Sequence, residues 1–527
     1  ELWITDGTPA GTVLFADLRP GAGGSDPRDF VRVGAFLFFT ADDGTHGREL
    51  WVSDGTVSGT MMVADLAPGA TGSDPQALVS VNGYAIFSAT TPATGRELFR
   101  AGGSPLTVEL VSDIRSGAGS SNPTALTATG SGLYFAADDG VHGLEPWFTD
   151  GSPSGTRMLH DVRPGTGAGF VAPIALFGKE WFFSGDDGQT GRELWWSNGQ
   201  PGSTARVADI NPGSASSAPL DGAPVLAGIV FTAVDAAHGR ELWFSDGSPG
   251  NTHLIADLTP GTRSSVIHHL TRADVRAFFA FDDGQAGMEP WTTDGNTAAM
   301  VRDIAPGAAS SMSTRAGSVG AAGLSLRVLL AADDGVNGRE VWASDGTQAN
   351  TFALGQIVGG SGGGDPHEFF TLGSAVLFVA TTPTHGTELW TVPLALFGGA
   401  NAQRLGFACP NQQGLFPDLF ADGVPLAGNA AFRLQIGNVE AHAPGVVLLG
   451  DRVDLPITPT CRVFASSLVQ LPFVADGAGN AFVPLPIPNV PRIAGTIFGT
   501  QATAVDAQST LPIPVTITNG LEIVIGL

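Results

Sequence analysis

The chain has 527 residues, 43% of them hydrophobic, with 73 glycines and 36 prolines, which is enough apolar material for a sizeable core divided among short strands and tight turns. Fifty acidic residues against 25 basic ones leave a net charge of −25, and this excludes the clustered cationic surface that nucleic acid requires and opposes binding to an anionic membrane. No apolar run reaches the ~18 residues of a membrane span.

In chain order, the phrase Glu-Leu-Trp, followed closely by Asp-Gly, begins at Glu1, Glu49, Glu97, Glu145, Glu193, Glu241, Glu289, Glu340 and Glu388, in steps of 48 residues except the seventh, which is 51. Such a period marks a repeat architecture. Each copy reads as two tandem hairpins. Ala77–Val81 and Tyr84–Ala89 flank Asn82-Gly83, a turn pair that tolerates positive φ at both positions. Glu49–Ser53 and Thr60–Leu66 flank Asp54-Gly55-Thr56. Four short antiparallel strands per period predict the blade of a β-propeller, and eight periods predict eight blades over residues 1–392. A β-solenoid or open superhelix is the competing arrangement. The last period lacks a fourth strand, so Thr12–Leu18 is expected to complete it. The chain opens inside a repeat, so a preceding segment is expected.

Residues present in every copy build the copy. The recurrent Glu is expected to accept backbone N–H groups or pair with Arg, holding adjacent blades in register. The recurrent Trp is expected to pack between blades. Asp-Gly pairs such as Asp54-Gly55 and Asp150-Gly151 read as turns in which Asp bonds its own backbone. Five loops repeat Asp-Asp-Gly: Asp42 and Asp43, Asp138 and Asp139, Asp186 and Asp187, Asp282 and Asp283, and Asp333 and Asp334. These ten carboxylates are candidate Ca²⁺ ligands. Plain turn chemistry competes, because Thr90-Thr91-Pro92 and Thr381-Thr382-Pro383 replace the acids in two copies.

The repeat phrase, intact at Glu1–Thr8 and Glu49–Thr56, resembles the bacterial ELWxxDGT-repeat family. The resemblance covers residues 1–392 and implies a secreted or surface-exposed protein, without established catalytic residues.

After a linker at 393–401, residues 402–527 lose the period and show short β-type runs, which predict a β-sandwich. Cys409 and Cys461 fit one disulfide in an oxidising compartment, or two buried thiols. The final run Leu521–Leu527 is expected as a strand in its own sandwich or on a neighbouring subunit. His268-His269 is the single His pair, and strand alternation sets adjacent side chains on opposite faces, a poor chelate. The chain is read as lacking a Gly-x-Ser-x-Gly elbow, a His-Glu-x-x-His motif and a P-loop.

These readings favour an extracellular or cell-surface protein that is not an enzyme. The propeller is expected as a rigid disc for adhesion or protein–protein contact, and the tail as an assembly or anchoring module, including as a filament or surface-layer subunit. The alternative is a propeller that binds or cleaves carbohydrate, with surface glycans as partners.

Overall fold

A computed structural model describes residues 1–5, 10–102 and 106–393, apart from 274, 316, 318, 321–327 and 373–374, together with the strands of the tail between 401 and 524. The described fold is all-β, and a single 3-10 turn at Pro249–Asn251 is its only helical element. Seven four-stranded antiparallel sheets follow one another, each with its strands in chain order. The first comprises Arg28–Val33, Phe36–Asp42, Arg48–Ser53 and Met61–Ala64. The hairpin turn at Asn82-Gly83 places both residues at positive φ, 50° and 83°, which Asn and Gly adopt at least cost.

The middle strands are apolar on both faces because both are covered. Phe38 and Phe39, successive residues pointing opposite ways, are each about fully buried, as are Leu50 and Val52. Sheet stacks on sheet. Phe38 and Val52 pack with Ala85, Phe87 and Phe99 of the next sheet. Ile86 and Leu98 pack in turn with Leu133 and Phe135.

The chain forms two compact units, Glu1–Asp221 with Ala233–Ala237 and Gly247–Thr252, and Gly222–Thr232 with His238–Asp246 and His253–Leu527. The division falls within the fifth four-stranded sheet. Stacking continues inside the second unit, where Leu329, Val341 and Ala343 pack with Val376 and Phe378.

The chain ends differ from expectation. Val13–Ala16 does not complete the last repeat but pairs with Leu2–Ile4, the first Glu-Leu-Trp strand, as a two-stranded sheet. The last repeat, His367–Leu372, Ala375–Thr382 and Gly386–Pro393, stays a three-stranded sheet. Each end sheet leaves bare what interior sheets cover. Trp3 is 61% exposed against 8% for Trp51, and Leu389 is 55% exposed against 0% for Leu50.

In the tail, Asn401–Leu405, Pro444–Gly450, Val469–Val474, Ile497–Val505 and Val515–Val524 form one sheet, and Asp418–Asp422, Arg433–Gly437 and Ala481–Pro484 another. The last strand pairs on both sides within its own sheet, Asn401 opposite Val524 and Ile497 opposite Val524. Asn519-Gly520 runs inside that strand. Cys409 and Cys461 lie outside the described residues.

The recurrent Glu ties each sheet to the connector beyond it. The Glu49 carboxylate accepts the Ser73 N–H at 2.7 Å and the Ser73 hydroxyl at 2.5 Å, 24 residues on. Glu97 does the same with Ser121, Glu193 with Ser217 and Glu241 with Ser265. Burial pushes Glu49, Glu97, Glu193 and Glu241 up, and the serine donors pull them part of the way back. In the fourth copy Gly169 stands at the serine position, as Gly364 does for Glu340, so only N–H groups donate, from Val162 and Gly169 at 2.9 Å each and from Arg163 at 3.4 Å. Burial there drives Glu145 up to about 7.

A carboxyl with a folded-state pKa above its unfolded value holds its proton longer when folded. The Glu145 contribution is therefore full below the unfolded value near 4.5 and is lost as pH rises through about 7. Glu145→Gln should remove that part of the stability loss between pH 4.5 and 7 in thermal melts. Glu97→Gln, which sets an amide against the Ser121 hydroxyl and N–H, should cost about 1–3 kcal/mol throughout. Equal losses for the two variants at pH 8 would refute the distinction.

Candidate functional site

The Asp-Asp-Gly loops spend their carboxylates on their own folding. Asp42 Oδ1 accepts the Gly44 N–H at 2.6 Å, and its Oδ2 meets Arg19 of the preceding connector at 3.2 Å. Asp43 Oδ1 accepts the N–H groups of Thr45 and His46, both at 2.8 Å, and its Oδ2 lies 2.7 Å from His46 Nδ1. Asp138 and Asp139 repeat this with Arg115 and His142. In later copies Thr190 and Asn337 take the place of His, bonding Asp187 and Asp334. Asp186 and Asp333 each accept the N–H of their loop glycine, as does Asp282. Asp283 accepts the N–H groups of Gln285 and Ala286. Burial raises Asp43, but the His46 and Thr45 donors outweigh it and hold the carboxyl below its ordinary value; the paired His46 ring is raised by its bond to Asp43. Among the described residues no group of three or more His, Cys, Asp and Glu is placed to hold a metal ion.

What varies between copies is more informative. Counted from the connector Ser or Gly that meets the Glu, the fourth residue is the second of the first strand in six copies. In the first unit it is Asp29, Ala77, Ala125, Pro173 and Asp221; in the second, His269, Arg315 and Glu368. Six of these have φ between 47° and 59°, a region costly for residues other than glycine. Pro173 cannot adopt it, because its ring fixes φ. The strain accompanies a bulge: Arg28 pairs with Thr40 and Val31 with Phe38, so Asp29 and Phe30 share one partner position. Large apolar side chains are exposed beside these positions, Phe30, Val171 and Leu220 in the first unit and Val266 and Phe370 in the second.

The bulge also corrects the reading of His268-His269. With His269 at φ 59°, strict alternation fails and the two rings come within 6.0 Å, centroid to centroid. His269 Nε2 lies 2.7 Å from the Ser313 carbonyl and donates to it. Arg315, not singled out from the sequence, joins the last two repeats. In earlier copies Asp26 and Asp74 pair with Arg48 and Arg96 of their own sheet, at 2.8 and 2.9 Å. The last copy has Thr387 where that Arg stands, and Asp365 is gripped instead by Arg315 and approached by Arg339 at 3.5 Å. Arg315 Nη2 donates to His367 Nε2 at 3.1 Å, while His367 Nδ1–H donates to the Asp365 carbonyl at 3.0 Å. Counting from the connector serine, not from Glu-Leu-Trp, exposes this equivalence, because the seventh period has lost two residues before Ser311 and gained five after it.

The letters Gly-x-Ser-x-Gly do occur, at Gly359-Gly360-Ser361-Gly362-Gly363, against the sequence expectation. Ser361 lies in an exposed connector turn between Phe352–Ala353 and His367–Leu372, with no helix after it, so the strand–turn–helix geometry of a nucleophile elbow is not built there.

No family model and no curated protein matches the chain. Among solved structures it is similar to a puromycin hydrolase (13% identity, TM-score 0.33, 81% of this chain and 64% of that one). It is also similar to a puromycin-hydrolyzing peptidase of Mycobacterium tuberculosis (7%, 0.37, 78% and 58%) and to prolyl oligopeptidase B of Galerina marginata (10%, 0.34, 70% and 57%). The chain thus spans less than two thirds of the length of these proteins. All three are enzymes. This finding overturns the expectation of a non-enzymatic structural or adhesive protein with a carbohydrate-directed alternative, and neither role is carried further.

Because the loop carboxylates serve their own turns, a chelator should leave the melting temperature unchanged, and added Ca²⁺ should not raise it. A chelator-induced fall of several degrees would return the ten aspartates to the metal reading.

Proposed function

We propose that residues 1–392 form an eight-bladed propeller of the ELWxxDGT type and that its first strands bind extended polypeptide. The observation that carries this reading is the strained, bulged start of those strands, where the residue changes from copy to copy on a backbone conformation that six copies share. Strain retained at a variable position points to use rather than to folding. The chemistry of the surroundings suits polypeptide. Exposed apolar side chains stand beside carboxylates, Phe30 next to Asp29 and Phe370 two residues from Glu368. The bulge interrupts the regular strand ladder, where a peptide backbone can pair.

Two measurements test this. Small-angle scattering of the full chain should give a radius of gyration of about 24 Å, the value for a compact chain of this length; a markedly larger one would favour the open superhelix. Fluorescence anisotropy with labelled unstructured peptides should show binding that Phe370→Ser and Glu368→Gln each weaken by about tenfold, roughly 1.4 kcal/mol. Val57→Ser, on an exposed turn, should bind as the parent does. Undiminished binding by the first two variants, or no binding of any peptide, would remove the proposal. Mass spectrometry of the same samples would show whether bound peptide is cleaved.

A further inference from the structure

A cavity of about 160 Å³ lies beside Trp342 in the seventh repeat, lined among others by Asp334, Asn337, Glu340, Ala353 and Gln356. Comparison with the other repeats explains its origin. On the fourth strand, the residue paired with the indole position is Met62, Met158, Leu254 or Met300 in four other copies and Arg206 in the fifth, and here it is Ala353. Losing a thioether or isobutyl group from a packed site leaves a void unless neighbours collapse into it. They do not collapse here, because the wall is held by hydrogen bonds. Gln356 stands where Asp65 and Asp257 stand, one residue before the N–H that meets the buried Glu, and its Nε2 donates to Asn337 Oδ1. Asn337 Nδ2 donates to Asp334 Oδ2 at 2.7 Å.

The lining combines an indole, two carboxylates and a short apolar wall. Glu340 is 1% exposed. It accepts the N–H groups of Ile357 at 2.7 Å and Val358 at 3.2 Å but has no serine hydroxyl, since Gly364 stands at that position. It therefore keeps acceptor capacity that other copies use internally. The indole already takes a cation, with the Arg302 guanidinium carbon 5.7 Å from its centroid, and Arg302 is not among the lining residues.

We propose that this cavity binds a small alkylammonium group, free or at the end of a lysine side chain. The ammonium is drawn by Asp334 and Glu340 and by the face of Trp342, and the alkyl stem lies against Ala353 and Leu354. The volume suits such a group, since a cavity of about 150 Å³ accommodates a molecule the size of benzene. This site is separate from the bulged strand starts and does not depend on the peptide reading.

The test is calorimetric titration of the full chain with n-butylammonium and with Nα-acetyl-lysine amide, each against its neutral counterpart, 1-butanol and Nα-acetyl-norleucine amide. The expected result is one site for at least one ammonium compound and none for the neutral ones. Ala353→Met restores the side chain that other repeats use and should weaken binding by about tenfold or more while the melting temperature holds or rises; Ala353→Leu serves if the longer side chain misfolds. Binding of the lysine derivative alone would identify a lysyl side chain as the ligand, and binding of both would show that a free amine suffices. Equal binding by parent and filled variants, equal binding of the neutral compounds, or no binding at all would overturn the proposal.

Discussion

The arrangement depends on a carboxylate buried where nothing cationic neutralises it. The repeat Glu from Glu49 to Glu340 are almost fully buried, and their charge is met by N–H and hydroxyl donors of a connector 22 to 24 residues farther on. Such a group is costly when its donors are missing and favourable when they are present, so it fixes where the connector runs. The connector in turn sets the start of the next first strand. The stacked, doubly apolar middle strands supply the bulk of the burial, but they would tolerate sliding. The Glu–connector bonds set the register between sheets.

That division of labour locates variation. Strands two and three are covered on both faces, and the Asp-Asp-Gly and Asp-Gly turns consume their own polar groups. Little is left free to differ except the first-strand starts and the rims of the sheets. The fourth residue from the connector therefore ranges over Asp, Ala, His and Glu on nearly the same strained backbone, and is Pro173 or Arg315 where that backbone is not strained. The Arg315–Asp365 pair shows how such variation is accommodated: when the sheet's own Arg becomes Thr387, a residue of the preceding repeat takes up the orphaned carboxylate.

The repeating part of the fold was legible in the sequence because its signals are local. Asn82-Gly83 specifies a turn through its own φ values, and alternation in Tyr84–Ala89 specifies a strand. The partner of each Glu was half legible: backbone donors were expected, but Ser73 is separated from Glu49 by a whole hairpin and connector, and nothing in the spacing of Glu-Leu-Trp points to it. The bulge was not legible at all. Asp29, Ala77 and His269 have no side-chain chemistry in common, and only the register against Phe36–Asp42 and its equivalents shows that they occupy one position. Completion of the last repeat by Thr12–Leu18 failed because the nearer Glu-Leu-Trp strand offers the same edge at far smaller loop-closure cost.

A repeat array also supplies its own controls. Where the residue opposite the indole becomes Ala353, a cavity opens. Each exception is a substitution made on a scaffold that is otherwise held constant, so the consequence is assigned to the residue rather than to the fold. The same logic separates structure from use throughout the chain. A feature kept in every copy is accounted for by burial and hydrogen bonding within that copy. A feature found once, on a backbone that would have accepted the common residue, has no such account, and the binding surface is to be sought there.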